Sequence, residues 1–234
     1  MIKKPIAKSP EQGAAARLMI ELAVRSDMER FLRTAVRLAK ILDIDLRVVS
    51  RQDSSVLQAA ALPVVQEVCL WTAREQQIST GTLSRSIRIL SRQARARLER
   101  MAEREAVACS FVSGPESESH LEEAGSTERQ IRWVGGRGIS ARSDTHPVCV
   151  LDSGDAAGQA CLQQAARLAN RAHRPLKIYS MKGKDEKGDV ESADRFLQQA
   201  QGLTCFVLFM PESAYLKCND RNLLNNAPFP VLLV

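Results

Sequence analysis

Aromatic side chains are scarce in this chain, 4% of 234 residues, with only two Tyr and two Trp. That leaves little to stack on bases, so the formal charge of +6 does not by itself point to nucleic acid. Most of the basic excess is spread over helices and a basic N-terminal tail, as on an ordinary solvated surface. Long apolar runs are missing too. Phe206–Met210 and Val231–Val234 fall far short of the roughly 20 residues that cross a bilayer. Met1–Pro10 is basic but has no apolar stretch or small-residue cleavage site behind it, so no secretory signal is read there. The expectation is a cytoplasmic protein with no membrane association.

The six cysteines form no C-x-x-C pair, and several lie inside apolar runs such as VCVL and TCFVLF. They are expected to be reduced core thiols, neither disulfides nor metal ligands. His120, His146 and His173 are far apart, and none has a Cys or carboxylate at ligand spacing. No G-x-S-x-G occurs, and no Ser-His-Asp or Cys-His order has a supporting motif. Hydrolytic catalysis therefore has no positive evidence in the sequence, and the chain is read as a non-enzyme.

What the sequence does contain is a repeat. Ala35–Ser50, AVRLAKILDIDLRVVS, returns 130 positions later as Ala165–Ser180, AARLANRAHRPLKIYS, with six identities. Each copy reads as the back half of an amphipathic helix, a turn and an apolar strand. Each also follows an apolar run that ends in a polar loop, Leu18–Val24 before Arg25-Ser26-Asp27 and Val148–Leu151 before Asp152–Asp155. A period this long points to duplicated domains, since solenoid units are shorter. The expected boundaries are a loose tail over 1–16, a first domain over 17–146 and a shorter second domain over 147–234.

In the first unit, Phe31, Leu32, Ala35, Leu38, Ala39 and Leu42 recur at three- and four-residue steps and predict a helix over Met28–Leu42. A strand follows over Leu46–Ser50, then helical segments over Val56–Leu62 and Val64–Ala73. A long helix capped by Thr82 or Ser84 reaches Glu105, with Ile87, Leu90, Ala94, Leu98 and Met101 as its core face. Val107–Val112 and Ile131–Val134 read as strands, the second running into Gly135-Gly136-Arg137-Gly138. In the second unit the predicted elements are strand Val148–Leu151, helix Ala156–Ala172, strand Leu176–Met181, helix Val190–Ala200, strand Leu203–Met210, an irregular or helical crossing Glu212–Asn226, and strand Phe229–Val234. Strands alternating with helices imply a doubly wound parallel α/β sheet with right-handed crossovers.

The order of apolar strand, D/S/G loop, A-x-R-L-A helix and apolar strand resembles the universal stress protein family, as does the terminal strand led by Pro230. The resemblance covers roughly residues 18–234 and implies a tandem, degenerate member with doubly wound parallel sheets. It also implies partner binding, a homodimer included, through edge strands, within the chain, externally through Phe229–Val234, or both. Nucleotide-binding members carry G-x-x-G, nine residues, then G-S/T, whose backbone N–H groups approach phosphates. Gly135 and Gly138 match the opening pair, but Val148 and Cys149 stand where Gly and Ser or Thr belong. After FVLFM the second unit has Pro211-Glu212-Ser213, without glycine and with an added carboxylate.

The resemblance therefore implies a weak or missing adenine-nucleotide site, no required cofactor, and a role in stress response or regulation through a partner or small ligand. The candidate ligand residues are Asp27, Gly135, Gly136, Gly138, Asp152 and Ser153. The structural reading of the second loop is that Asp155 caps the helix starting at Ala156. Two alternatives stay open. One is a true adenine-nucleotide binder, or slow ATP hydrolase, using Gly135–Gly138 with Asp27 or Asp152. The other is a nucleic-acid or acidic-partner binder using Arg85, Arg88, Arg92, Arg95 and Arg100 of the long helix.

Overall fold

The computed structural model describes residues 17–22, 28–50, 54–62, 66–68, 75–77, 79–113, 130–135, 145–180, 204–218, 224 and 227–234. In chain order the elements are β1 (Arg17–Leu22), α1 (Met28–Leu42), β2 (Asp45–Ser50), α2 (Ser54–Ala60), β3 (Gln66–Val68), β4 (Glu75–Gln77) and α3 (Thr80–Glu105). They continue with β5 (Cys109–Ser113), β6 (Gln130–Gly135), β7 (Val148–Asp152), α4 (Ala156–Ala172), β8 (Leu176–Ser180), β9 (Val207–Met210), α5 (Glu212–Leu216) and β10 (Val231–Leu233).

The two repeat copies fold alike, residue for residue. Leu18 stands opposite Leu46 in the β1–β2 register, and Val148 stands opposite Leu176 in the β7–β8 register. α1 and α4 end on Leu42 and Ala172, and the residues that follow, Asp43 (φ 57°) and His173 (φ 52°), are both left-handed. Asp and His are among the side chains that tolerate this conformation best. Each helix closes with the same pair of backbone bonds. Ile44 N–H donates to the Ala39 carbonyl at 3.1 Å, and Arg174 N–H donates to Ala169 at 2.8 Å. At the contact between the two helices, Arg171 donates to the carbonyl of Ile41, its own repeat equivalent 130 residues away. A contact between equivalent positions marks the approximate two-fold axis that relates the units.

The expectation was tandem domains with doubly wound parallel sheets, paired through edge strands within the chain, externally or both. Among the described residues the strands of both units join in one eight-stranded sheet, ordered β5-β2-β1-β6-β10-β9-β7-β8, with four strands from each unit. Every neighbouring pair is parallel except β6–β10, where the units meet antiparallel. β10 is flanked on both edges, so its pairing is satisfied inside the chain, and the Phe229–Val234 segment is not an external edge. One apolar cluster joins α1, α3 and α4 across both units on one face of the sheet, from Leu18 and Leu98 to Leu168 and Phe209. A second cluster, confined to the second unit and its junction, packs Ala214 of α5, Cys218, Leu224 and Phe229 on the other face.

Three other expectations are corrected. Val64–Ala73 is not helical over its described part: β3 pairs antiparallel with β4 in a separate two-stranded sheet. Short apolar runs rich in β-branched residues satisfy helix and strand periods alike. α3 starts a turn early, capped by Ser79, whose hydroxyl accepts the Thr82 N–H, so neither Thr82 nor Ser84 is the cap. Its predicted core face holds only toward the C-terminus. Ala94, Leu98 and Ala102 are buried, whereas Leu90 is 36% exposed and Ile89 47%. β2 ends at Ser50, whose hydroxyl meets that of Ser91 at 3.2 Å, and α3 buries no residue before Ala94.

The cysteine expectation also changes. Cys149 in β7 and Cys205, just before β9, form a disulfide with Cα atoms 6.1 Å apart. They are 56 residues apart in sequence, and only the parallel pairing of β7 with β9 brings them together. Cys161 and Cys218 are buried outside the disulfide, the Cys218 thiol donating to the Ala214 carbonyl at 3.2 Å, and Cys109 is half-buried. Burial pushes the Cys161 thiol up to about 12, which leaves it protonated and unreactive at neutral pH. The predicted helix 190–200 and Met181, the predicted end of the strand before it, lie outside the described residues.

Candidate ligand sites at the strand ends

Open parallel sheets bind ligands beyond the carboxyl ends of strands where the strand order reverses. Here that gives two places, one between β1 and β6 and one between β7 and β9. Because the units meet antiparallel, the two lie at opposite ends of the strands.

The second-unit place is fully built. β7 ends at Asp152, and the chain turns through Ser153-Gly154-Asp155 into α4. Asp155 is the N-cap, its carboxylate accepting the Gly158 N–H at 2.8 Å. The Ser153 hydroxyl donates to that same carboxylate, and the Asp152 carboxylate accepts the Gly154 N–H at 2.8 Å. Gly154 is left-handed at φ 74°, a conformation that favours glycine. Ser153, and then the Gly158 N–H, hold the Asp155 carboxyl below its ordinary range. The first turn of α4 therefore spends its N–H donor on an internal carboxylate, and the loop presents two carboxylates at the place where an anion would dock.

Gly158 is a site residue that the sequence reading missed. A Cβ there would stand 2.6 Å from Asp152 Oδ1 and 2.8 Å from both the backbone nitrogen and the hydroxyl of Ser153. Its freedom from a side chain lets the loop fold back onto the helix. The available signal was a glycine inside an otherwise Ala-rich first turn, AAG.

On the far side of this crevice, register fixes the correspondence between units. Ile131 and Val207 stand opposite the equivalent residues Leu18 and Val148, so Pro211 occupies the place of Gly135. Proline has no N–H to offer a phosphate. Pro211 is buried and starts α5 without a side-chain cap bond. Glu212, the added carboxylate, is ion-paired with Arg132 of β6, across the junction between the units.

In the first unit, Gly135 is a strand residue and not part of a loop. It is buried, pairs with Val231 of β10, and its carbonyl accepts the indole N–H of Trp133 at 2.6 Å. Trp133 is itself buried against Phe31, with ring centroids 4.3 Å apart. Asp27, Gly136 and Gly138 lie outside the described residues, as do Arg25, Ser26, Arg137 and His120. Of the six candidate residues the structure thus brings together Asp152 and Ser153, and it sets Gly135 in the sheet at the far junction.

A cavity of about 380 Å³ lies elsewhere, at the amino ends of β1, β2 and β5, lined by Arg17, Asp45, Arg47, Cys109 and Ser110 among others. It is at the opposite end of these strands from the ligand crevice. The arginines of α3 are exposed, and Arg95 is ion-paired with Glu99 at 2.8 Å. Among the described residues no three metal-binding side chains cluster, and no helix is long and apolar enough to cross a membrane.

No protein-family model matches the sequence, and no curated relative does. The structure is similar to the crystal structure of a universal stress protein from Archaeoglobus fulgidus DSM 4304, with a TM-score of 0.56 at 9% identity. The match covers 93% of this chain and 95% of that one. This likeness establishes a universal-stress-type α/β fold built on a mostly parallel sheet.

Proposed function

We propose that this chain is a tandem, degenerate universal-stress-type protein that acts in stress response or regulation by binding a protein partner or a small ligand, without catalysis and without a resident nucleotide. The observation that carries the reading is the second strand-end crevice. Its helix N-terminus is occupied by Asp155, its glycine position is taken by Pro211, and its far wall carries Glu212 engaged by Arg132. A triphosphate there would meet three carboxylates and lose the N–H donors it needs. The proposed location is the cytoplasm, with no nucleic acid and no membrane among the partners.

A second reading is favoured by one observation: Gly135 ends β6 beside β1, at the switch point of the first unit, with Gly138 three residues on. On that reading the first unit alone holds an adenine nucleotide, or hydrolyses it slowly. Small molecules released from freshly purified protein, identified by mass spectrometry, separate the two. The preferred reading expects no adenine nucleotide and no rise in melting temperature with added ATP. A nucleotide recovered at one per chain replaces it with the second.

A further inference from the structure

Register builds the cavity at the amino ends of β1, β2 and β5. Leu46 and Val48 of β2 enter the cluster under α1 and α3, so the alternate residues Asp45 and Arg47 belong to the opposite face. Arg17 stands beside Asp45, and Ser110 beside Arg47, which sets all four side chains on that one face. All four line the cavity of about 380 Å³, with Ala108 and Val112 as apolar wall. That volume lies at the small end of the range for ligand pockets. Asp45 and Arg47 are half-buried, yet neither has a hydrogen bond or an ion pair among the described residues. A half-buried charge without a partner gives up hydration and gains nothing in return.

The repeat sets this group apart from the scaffold. By register, Pro147 and Pro175 are the equivalents of Arg17 and Asp45, and Lys177 that of Arg47. Only the first unit places a carboxylate beside a guanidinium at this point.

We propose that the cavity binds a small zwitterion, an α-amino acid with an aliphatic side chain. Arg47 takes the carboxylate, which its planar guanidinium can hold by two parallel hydrogen bonds, and Asp45 accepts from the ammonium. The Ser110 hydroxyl, beside Arg47, is a further donor to the carboxylate, and Ala108 and Val112 wall the aliphatic chain. Asp45 and Arg47 are two residues apart, about 7 Å along the strand, a gap that the joined ammonium and carboxylate of one ligand span. One unpartnered cation and one unpartnered anion select a ligand that carries both charges. A simple carboxylate would set a second negative charge beside Asp45, and a simple amine a second positive charge beside Arg47.

This names a site and a ligand class for the small-ligand side of the functional reading, and it rests on that reading. The test uses the full chain with L-alanine, L-valine and L-leucine as probes. At one hundred times its dissociation constant, taken from titration calorimetry, the best of the three should raise the melting temperature by about 5–10 °C. Two half-ligands, 4-methylpentanoate without the amine and 3-methylbutylamine without the carboxylate, should leave it unchanged. Asp45→Asn and Arg47→Gln should each weaken amino-acid binding by roughly tenfold or more, with the unliganded chain melting close to wild type. Should a variant not fold, the half-ligands test the same claim on the wild-type chain. No shift with any of the three amino acids, an equal shift with either half-ligand, or unchanged binding in both variants would each overturn the proposal. The failures are distinct: recovered adenine nucleotide overturns the functional reading, whereas a flat melting series with no nucleotide recovered overturns this site alone.

Discussion

β2 and β8 hold equivalent places in the two copies of the Ala35–Ser50 pattern and share one register, and yet Val48 lies in the core while Ile178 is half exposed. The strand-end loops diverge as well. In the second unit a ring of internal hydrogen bonds among Asp152, Ser153, Gly154, Asp155 and Gly158 seals the helix N-terminus. The comparison teaches that the strand–helix–strand scaffold is alike in both units because its register and caps are set locally. Among the described residues, α3 and β5 close the outer side of β2 in the first unit.

The largest test of this comparison asks whether the two units are energetically one. Leu38 and Leu168 are repeat equivalents, both 0% exposed and both in the shared cluster. Leu38→Ala and Leu168→Ala should each cost about 2–5 kcal/mol and shift a single cooperative urea transition. Two separate transitions, with each substitution moving only one, would break the picture of a common core.

Next in size is the disulfide, which staples only the second unit. Reducing Cys149–Cys205 should lower stability by roughly 2–4 kcal/mol, measured by denaturant unfolding with and without reductant. The bridge also bears on the proposed location, since cytoplasmic thiols are normally kept reduced. Alkylating the chain at the moment of cell lysis reads the state of these two cysteines directly.

Gly158→Ala sharpens the contrast between the loops. In an open helix this change ordinarily stabilises, but here the new Cβ meets Asp152 and Ser153, and a loss of about 1–3 kcal/mol is expected. Its repeat equivalent, Met28→Ala, should cost less. Thermal melts of the two variants side by side decide it. A gain at Gly158 would mean that the sealed loop does not hold as described.

A further pair concerns the equivalent strands β2 and β8. Val48→Ala should cost about 2 kcal/mol, whereas Ile178→Ala should stay within about 0.5 kcal/mol of wild type in thermal melts.

The smallest effect is in acid. The folded Asp155 carboxyl titrates below its ordinary value of 3.8 because it accepts bonds from Ser153 and Gly158. With a depressed folded value, its contribution is full above the unfolded value and fades as pH falls through the folded one. Asp155→Asn keeps a capping oxygen and removes this titration, so stability measured from pH 5 downward should fall less steeply than in wild type.

Much of the scaffold was legible in the chain. The bounds of α1 and α4, Met28–Leu42 and Ala156–Ala172, follow from apolar periodicity and polar punctuation, and Asp155 before an Ala-rich run is a readable cap. The candidate site was legible only in part. Asp152 and Ser153 were found because loop, strand and helix adjoin in sequence. Gly158 was missed because its role depends on how closely Asp152 returns to the helix. The Arg132–Glu212 pair was missed because its partners are 80 residues apart.

The same division holds for the whole molecule. Sequence by itself determined the repeat, the alternation of strands and helices, and the loss of glycine after FVLFM, since each rests on neighbouring residues and their intrinsic preferences. Only the tertiary structure decided that the units share one sheet, that β10 is spent inside it, and that Cys149 meets Cys205. These depend on which strands lie side by side, and that is set by burial and pairing between residues far apart in the chain, where local pattern carries no signal.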